Sequence, residues 1–282
     1  MRSLALFILL VPAAARAEDE PAKTDEPPAT APAASGAPVS SGERVTMPAK
    51  RGMLNAQLGI NLSTDLVGKP ISLSPDIWYG VSDKLTIGLV HTFVGATGIM
   101  GIPGTSLCLT GADNGCGDFY NFAGIDARYT LKSDAKLQIA LDAGLFMTAL
   151  DPFQLALKVG ITGRYRASKS VALEFSPNIF FGITERDGEL MAGGNKEVVA
   201  VPVNIVFSLN DKLALLAQLA LLMPFENAGD LYALGLSLGG NYAISKQLSL
   251  SLAFSLPFLV TGIEDAGGVD ARTLTLGGGY AF

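Results

Sequence analysis

Apolar and polar residues alternate along most of the chain from residue 53 to its last residue. Alternation with a period of two is typical of β-strands, because successive side chains of a strand point to opposite faces of the sheet. Most of the alternating segments span ten or more residues, the length that a tilted strand needs to cross a lipid bilayer. Twelve strands are predicted: 53–63, 70–81, 84–95, 118–131, 136–148, 153–167, 171–183, 196–209, 212–224, 231–244, 247–259 and 271–282.

The connections between these segments fall into two groups. Short connections rich in Ser, Asn, Asp and Lys have the composition of tight turns, and they are 81–85, 131–137, 167–171, 209–213 and 244–248. The others vary more in length, and they are 64–69, 96–117, 149–152, 184–195, 225–230 and 260–270. We therefore predict an all-β fold, a transmembrane antiparallel up-and-down β-barrel of twelve strands. An even strand number places both ends of the barrel domain on the side of the short turns.

The N-terminal residues have the pattern of a secretory signal peptide. Arg2 precedes an apolar core, and Ala15-Arg16-Ala17 satisfies the small-x-small rule for signal peptidase. We expect a signal peptide over 1–17 that is cleaved after about Ala17. Residues 18–52 are rich in Pro, Ala, Glu and Ser and poor in aromatic and branched apolar side chains. They predict a disordered periplasmic tail ahead of a barrel domain over 53–282.

Five of the seven tyrosines fall at one depth of the predicted barrel. They share the parity of the apolar face, and each lies just before a short turn or near the last residue. Tyr anchors at membrane interfaces because its ring is apolar and its hydroxyl is polar. The predicted periplasmic aromatic girdle consists of Tyr79, Tyr129, Tyr165, Tyr242 and Tyr280.

The composition fits a membrane protein that lacks spanning helices. Apolar residues make up 49% of the chain and the mean hydropathy is +0.37, which is high for a soluble protein. The longest apolar stretch after the signal peptide, 213–225, is shorter than the roughly 20 residues that a spanning helix needs. A formal net charge of -6 and a pI of about 4.9 argue against binding to nucleic acid.

The only two cysteines, Cys108 and Cys116, lie in one Gly-rich connection. The signal peptide predicts export to an oxidising compartment, where neighbouring thiols pair. We expect a disulfide that closes a short loop in this connection.

The chain ends on an alternating strand whose last residues are Tyr280-Ala281-Phe282. With the strand pattern, this terminus resembles the bacterial outer-membrane β-barrel superfamily, and the resemblance covers about residues 53–282. It implies a Gram-negative outer-membrane location, contact with outer-membrane lipid and lipopolysaccharide, and recognition of Tyr280 and Phe282 as a C-terminal assembly signal by the barrel assembly machinery. The resemblance is architectural and carries no subfamily motif, so it leaves the function open.

Residues out of phase with the apolar face are expected to point into the barrel. Strands from the second to the seventh place charges there, namely Asp76, Asp126, Arg128, Asp142, Lys158, Arg164 and Glu174. The other strands present small or neutral groups. Two interpretations of the charged half stay open: acids and bases pair across strands, with Arg164 opposite Glu174, or they form a ladder that orients a polar solute in a pore.

No catalytic set is apparent. Outer-membrane phospholipases are barrels of this size that carry His and Ser two residues apart on one strand and Asn on the next. His91 and Asn121 occupy comparable positions, but residue 93 is Phe and supplies no nucleophile. We interpret His91 as a lipid-facing polar residue near the outer edge, and we predict no enzymatic activity, no cofactor and no metal site.

The preferred functional hypothesis is an outer-membrane channel or facilitator for the passive passage of small solutes through a partly charged, partly neutral lumen. The alternative is a structural or tethering barrel whose periplasmic tail binds peptidoglycan or a periplasmic protein. A third hypothesis is surface recognition through the acidic loops, where acids predominate over bases.

Overall fold

The computed structural model describes residues 45–63, 68–92, 105–116, 119–188, 194–262 and 268–282. The predicted signal peptide and residues 18–44 of the predicted tail lie outside these ranges. Within them, no helix has both the length and the apolar character needed to cross a membrane. The strands are β1 (Gly52–Asn61), β2 (Ile71–Gly80), β3 (Leu85–Val90), β4 (Ser106–Cys108), β5 (Tyr120–Asn121), β6 (Ala123–Ser133), β7 (Leu137–Leu150), β8 (Phe153–Arg166), β9 (Val171–Phe175), β10 (Asn178–Gly182), β11 (Val198–Ser208), β12 (Leu213–Pro224), β13 (Ala233–Ala243), β14 (Leu248–Thr261) and β15 (Thr273–Ala281).

The strands form a closed antiparallel barrel. Each barrel strand pairs with the strands before and after it in the chain, and β1 pairs with both β2 and β15. β9 and β10 share one position in the sheet, since both lie between β8 and β11. The short β4 and β5 are additions beside β2. The barrel therefore has twelve strand positions, which confirms the predicted fold class and strand number.

Five tight turns join the strands at one end of the barrel, here called the turn end; the opposite end is called the loop end. In each turn, one side-chain oxygen accepts hydrogen bonds from the backbone N–H groups two and three residues further along. Such side-chain bonds imitate a backbone turn and explain the Ser, Asn and Asp content. The N–H groups of Leu137 and Lys136 also lower the pKa of the Asp134 carboxyl. The five accepting residues are Ser82, Asp134, Ser168, Asn210 and Ser245.

The outer face of the barrel is covered with exposed apolar side chains. They alternate with buried residues along each strand, as in β14, where Leu250, Leu252 and Phe254 are exposed and Ser249 and Ala253 are buried. An apolar surface of this extent is unfavourable in water and suits the hydrocarbon core of a bilayer.

Three segments differ from the predicted boundaries. The third strand ends at Val90 instead of residue 95, and residues 93–95 lie outside the described part of the chain. The seventh strand is interrupted at Pro177, which has no N–H to donate to the ladder. Residues 45–51, at the end of the segment predicted to be disordered, pack against the barrel.

Candidate functional site

Four of the predicted lumen charges form one buried cluster. Lys158 Nζ lies 2.7 Å from Asp126 Oδ2 and 3.0 Å from Asp142 Oδ2. Arg128 pairs in register with Asp142, with its Nε 3.8 Å from Asp142 Oδ2, and its guanidinium carbon lies 4.0 Å from the centre of the Trp78 ring. The four charged residues are at most 2% exposed. They contact one another and offer no surface to a solute, as the cross-strand pairing interpretation expects.

A second pair lies further round the wall. Arg164 and Glu174 are direct partners in the ladder between β8 and β9, and Arg164 Nη1 lies 3.2 Å from Glu174 Oε1. The sequence predicted this pair from a turn that places Ala167 opposite Val171. In the structure, a hydrogen bond of 3.0 Å from Ala167 N to Val171 O closes that turn. Because the turn fixes the register of the hairpin, it also fixes which inward residues meet.

Aromatic residues fill the space beside the charged cluster. The rings of Phe122, Phe146 and Phe180 contact one another with centroid separations of 5.2 to 6.0 Å. Glycines on neighbouring strands make room for the large side chains of this half. A Cβ added to Gly124 would lie 2.5 Å from Phe146 Cγ, and one added to Gly88 would lie 2.6 Å from Trp78 Cε3. This half of the interior is therefore packed like the core of a soluble protein.

Residues 45–51, here called the N-terminal strap, lie inside the turn end of the barrel. Val45 and Thr46 are buried. Val45 N donates to Gln138 Oε1 at 2.9 Å, Thr46 Oγ1 lies 2.8 Å from Thr130 Oγ1, and Met47 N donates to Thr86 Oγ1 at 2.8 Å. The strap thus runs along the inner wall from β7 to β1 and covers the turn end of the packed half.

The remaining half of the interior is neutral. Along β11 to β15 and β1, the described inward positions carry no charged side chain. One set of inward residues forms a continuous line of direct ladder partners across five strands, here called the neutral row: Ser74, Gln57, Gly277, Ser251 and Asn241. The first four are partly exposed, unlike the charges of the packed half.

Asp76 and His91 lie together near the loop end. Asp76 Oδ1 accepts a hydrogen bond from His91 N at 2.6 Å, and Asp76 Oδ2 accepts one from Thr92 Oγ1 at 2.6 Å. The His91 ring is buried, with Nδ1 2.5 Å from Pro75 O and Nε2 2.8 Å from Tyr120 Oη. The lipid-facing assignment of His91 was therefore wrong, because strand parity does not extend beyond the end of β3 at residue 90.

The remaining predicted site residues lie at the two ends. A disulfide joins Cys108 to Cys116 with a Cα–Cα distance of 5.8 Å, as predicted, and staples the segment that contains β4. All five girdle tyrosines are exposed on strands close to the turn end, and the Tyr280 and Phe282 rings stack at 6.3 Å. Their roles as membrane girdle and assembly signal stay predictions.

Sequence reasoning did not identify the aromatic filling or the strap. A signal for the first was present, because Phe146 has the inward parity of Asp142 on the same strand. No such sequence signal existed for the strap, because its hydrogen bonds reach residues as many as 93 positions away.

A closed twelve-stranded antiparallel barrel with an apolar exterior and an interior of buried polar groups has the architecture of a transmembrane β-barrel. The chain matches no protein family model and no curated protein. Among solved structures, it is similar to the NanC porin, with a TM-score of 0.58, 8% identity, and coverage of 80% of this chain and 98% of that one. It is also similar to the KdgM porin in complex with disordered oligogalacturonate, with a TM-score of 0.52, 9% identity, and coverage of 82% and 99%. The chain has the outer-membrane β-barrel fold of these porins.

Proposed function

We propose that this protein is an outer-membrane channel for small solutes and that solutes pass along the neutral half of its interior. One observation carries the proposal. The charged half is filled by its ion cluster and by Phe122, Phe146 and Phe180, whereas the neutral row retains partly exposed, small and uncharged groups. The shared fold with two proteins described as porins supports a channel.

Cysteine accessibility tests this path. The two native cysteines are joined in a disulfide, so Ser251→Cys introduces a single free thiol on the neutral row. A charged methanethiosulfonate reagent is expected to reach this thiol and to lower the conductance of the refolded protein in a planar bilayer, because the modified side chain narrows the path.

Leu252→Cys is the matched control, since Leu252 is the next residue on β14 and is exposed on the outer face. Modification at this position should leave conductance unchanged. A folded protein that never conducts would overturn the channel proposal. Equal responses of the two variants would remove the neutral row from the path.

Tethering through the tail is a second candidate, favoured by the position of the strap. Residues 45–51 are held inside the turn end, which is the predicted periplasmic end, so a tail that binds an envelope partner would be joined to the barrel there. A pull-down from envelope extracts with the full mature chain should then recover peptidoglycan or a periplasmic protein, and removal of residues 18–44 should abolish the recovery.

A further inference from the structure

We propose that the neutral row and the oxygen atoms beside it form a binding site for an uncharged, hydroxyl-rich solute such as a neutral sugar. The inference rests on the proposed channel and names the class of solute that the channel selects. It follows from the row itself, from unpartnered oxygens next to it and from the charges that surround it.

The neutral row supplies the surface. It crosses five neighbouring strands without a charged or bulky apolar side chain. Gly277 leaves room at its centre, because a Cβ at this position would meet Ser251 Oγ and that hydroxyl would have to turn away. The row thus presents amide and hydroxyl groups at positions that are for the most part partly exposed.

Buried oxygens without a partner line the row on both sides. In the ladder, Ser72 and Thr275 flank it toward the loop end, and Asn55 and Ser249 flank it toward the turn end. Ser72 Oγ, Thr275 Oγ1, Asn55 Oδ1 and Ser249 Oγ have no hydrogen-bond partner among the residues that the structure describes, and neither does Asn241 Oδ1 in the row itself. All five residues are at least nine-tenths buried.

These oxygens are suited to hydroxyl groups. Buried polar atoms are nearly always hydrogen-bonded. In the structure these five oxygens are covered, so a solute on the row would bond them once their short side chains turn toward it. Serine and threonine hydroxyls both donate and accept, and the asparagine oxygens accept. A sugar hydroxyl has the same double capacity, so a polyol can satisfy several of these atoms at once, whereas an apolar solute would leave them unpaired.

The surrounding charges disfavour an ionic solute. The lysine and arginines nearest the lumen are engaged with buried carboxylates, in the cluster around Lys158 and in the pair of Arg164 with Glu174. The nearest acid is Asp76, which lies opposite Asn55 and accepts hydrogen bonds at both oxygens. No base lies on the row or at the inward ladder positions beside it, and the one carboxylate there already accepts hydrogen bonds at both oxygens. Either kind of ion would therefore lose hydration at the row without compensation.

Three sugars of equal ring size test the proposal: galactose, galacturonate and galactosamine. Liposomes that contain the full mature protein should swell fastest in galactose. We expect roughly tenfold slower uptake of the two charged sugars, since about 1.4 kcal/mol of uncompensated desolvation gives a factor of ten. Equal or faster uptake of galacturonate or galactosamine in a conducting protein would overturn the inference and leave the channel intact. No uptake of any sugar together with no conductance would instead overturn the channel.

A pair of variants checks that the row itself selects. Ser251→Lys adds a base to the row, and Ser251→Gln adds a neutral side chain of comparable length. The lysine variant should raise the uptake of galacturonate relative to galactose, and the glutamine variant should not. Identical ratios in the two folded variants would contradict selection at the row. Should the lysine variant not fold, the comparison of the three sugars on the unmodified protein decides alone.

Discussion

At the residue scale, the main feature is the compensation of buried charge. Removing a charge from water costs several kcal/mol unless a partner is close. Lys158 meets this condition with two carboxylates within 3.0 Å, and Thr162 Oγ1 donates to one of them, Asp142 Oδ2, at 2.9 Å. The cluster fixes the relative positions of β6, β7 and β8. Substituting its members should therefore change the stability of the barrel first and the passage of a solute only as a consequence.

Lys158→Met should be strongly destabilising. It leaves Asp126 and Asp142 buried without their shared base, and breaking a buried pair by removing one partner costs about 3 to 5 kcal/mol. The free energy of unfolding in urea, measured in lipid vesicles, checks this value. Lys132→Met is the control, because Lys132 forms an exposed pair with Asp134 at 3.3 Å, and exposed pairs contribute at most about 1 kcal/mol. Equal losses in the two variants would contradict the buried cluster.

At the element scale, the N-terminal strap is a part of the barrel that is not a strand. It bonds to inward threonines of β3 and β6 and to Gln138 of β7. Further toward β1, Lys50 N donates to Gly80 O at 2.8 Å. These bonds give a segment of bends and a turn the partners that a strand obtains from its neighbours. The strap consequently narrows the turn end.

Removing the strap should raise conductance. A chain that lacks residues 18–50 is expected to pass more current than the full mature chain, because the segment that covers the turn end is gone. A chain that lacks only residues 18–44 keeps the strap and should conduct like the full mature chain. Single-channel recordings of the three proteins in one lipid make the comparison. A change that already appears with the shorter deletion would assign the effect to the tail instead.

At the scale of the whole molecule, the barrel inverts the arrangement of a soluble protein. Apolar side chains cover its exterior, while its buried interior contains most of its strand-borne charges. This arrangement suits hydrocarbon as the solvent, because the ladders of the closed sheet bond the backbone groups of neighbouring strands to one another. The depth of a residue in the bilayer then determines the cost of placing a charge on the outer face.

Two equally exposed leucines test this dependence on depth. Leu219 is 51% exposed in the middle of β12, and Leu209 is 57% exposed beside a turn. Leu219→Arg should cost about 2 to 4 kcal/mol of unfolding free energy in lipid vesicles, and Leu209→Arg about 0 to 1, since the penalty is largest at the bilayer midplane. Similar costs at the two positions would be incompatible with a membrane-spanning barrel.

The twelve strands, the up-and-down topology and the division of inward residues into charged and neutral sets were predictable from the amino-acid sequence alone. These features follow from local rules: side chains alternate along a strand, and Ser, Asn and Asp close short turns. The sequence also predicted the pairing of Arg164 with Glu174, because one turn sets the register of one hairpin. The disulfide was predictable because its two cysteines are eight positions apart.

Contacts between groups that are distant along the chain were not predictable in this way and follow from the folded barrel. Lys158 reaches Asp126 across 32 positions and two strand boundaries, and Thr46 reaches Thr130 across 84. The alternation of side chains along a strand indicates that such residues point inward. Their contacts, however, depend on the register of several ladders at once and on closure of the barrel. His91 shows the same limit, because the end of its strand was set by the carboxylate of Asp76 on the neighbouring strand.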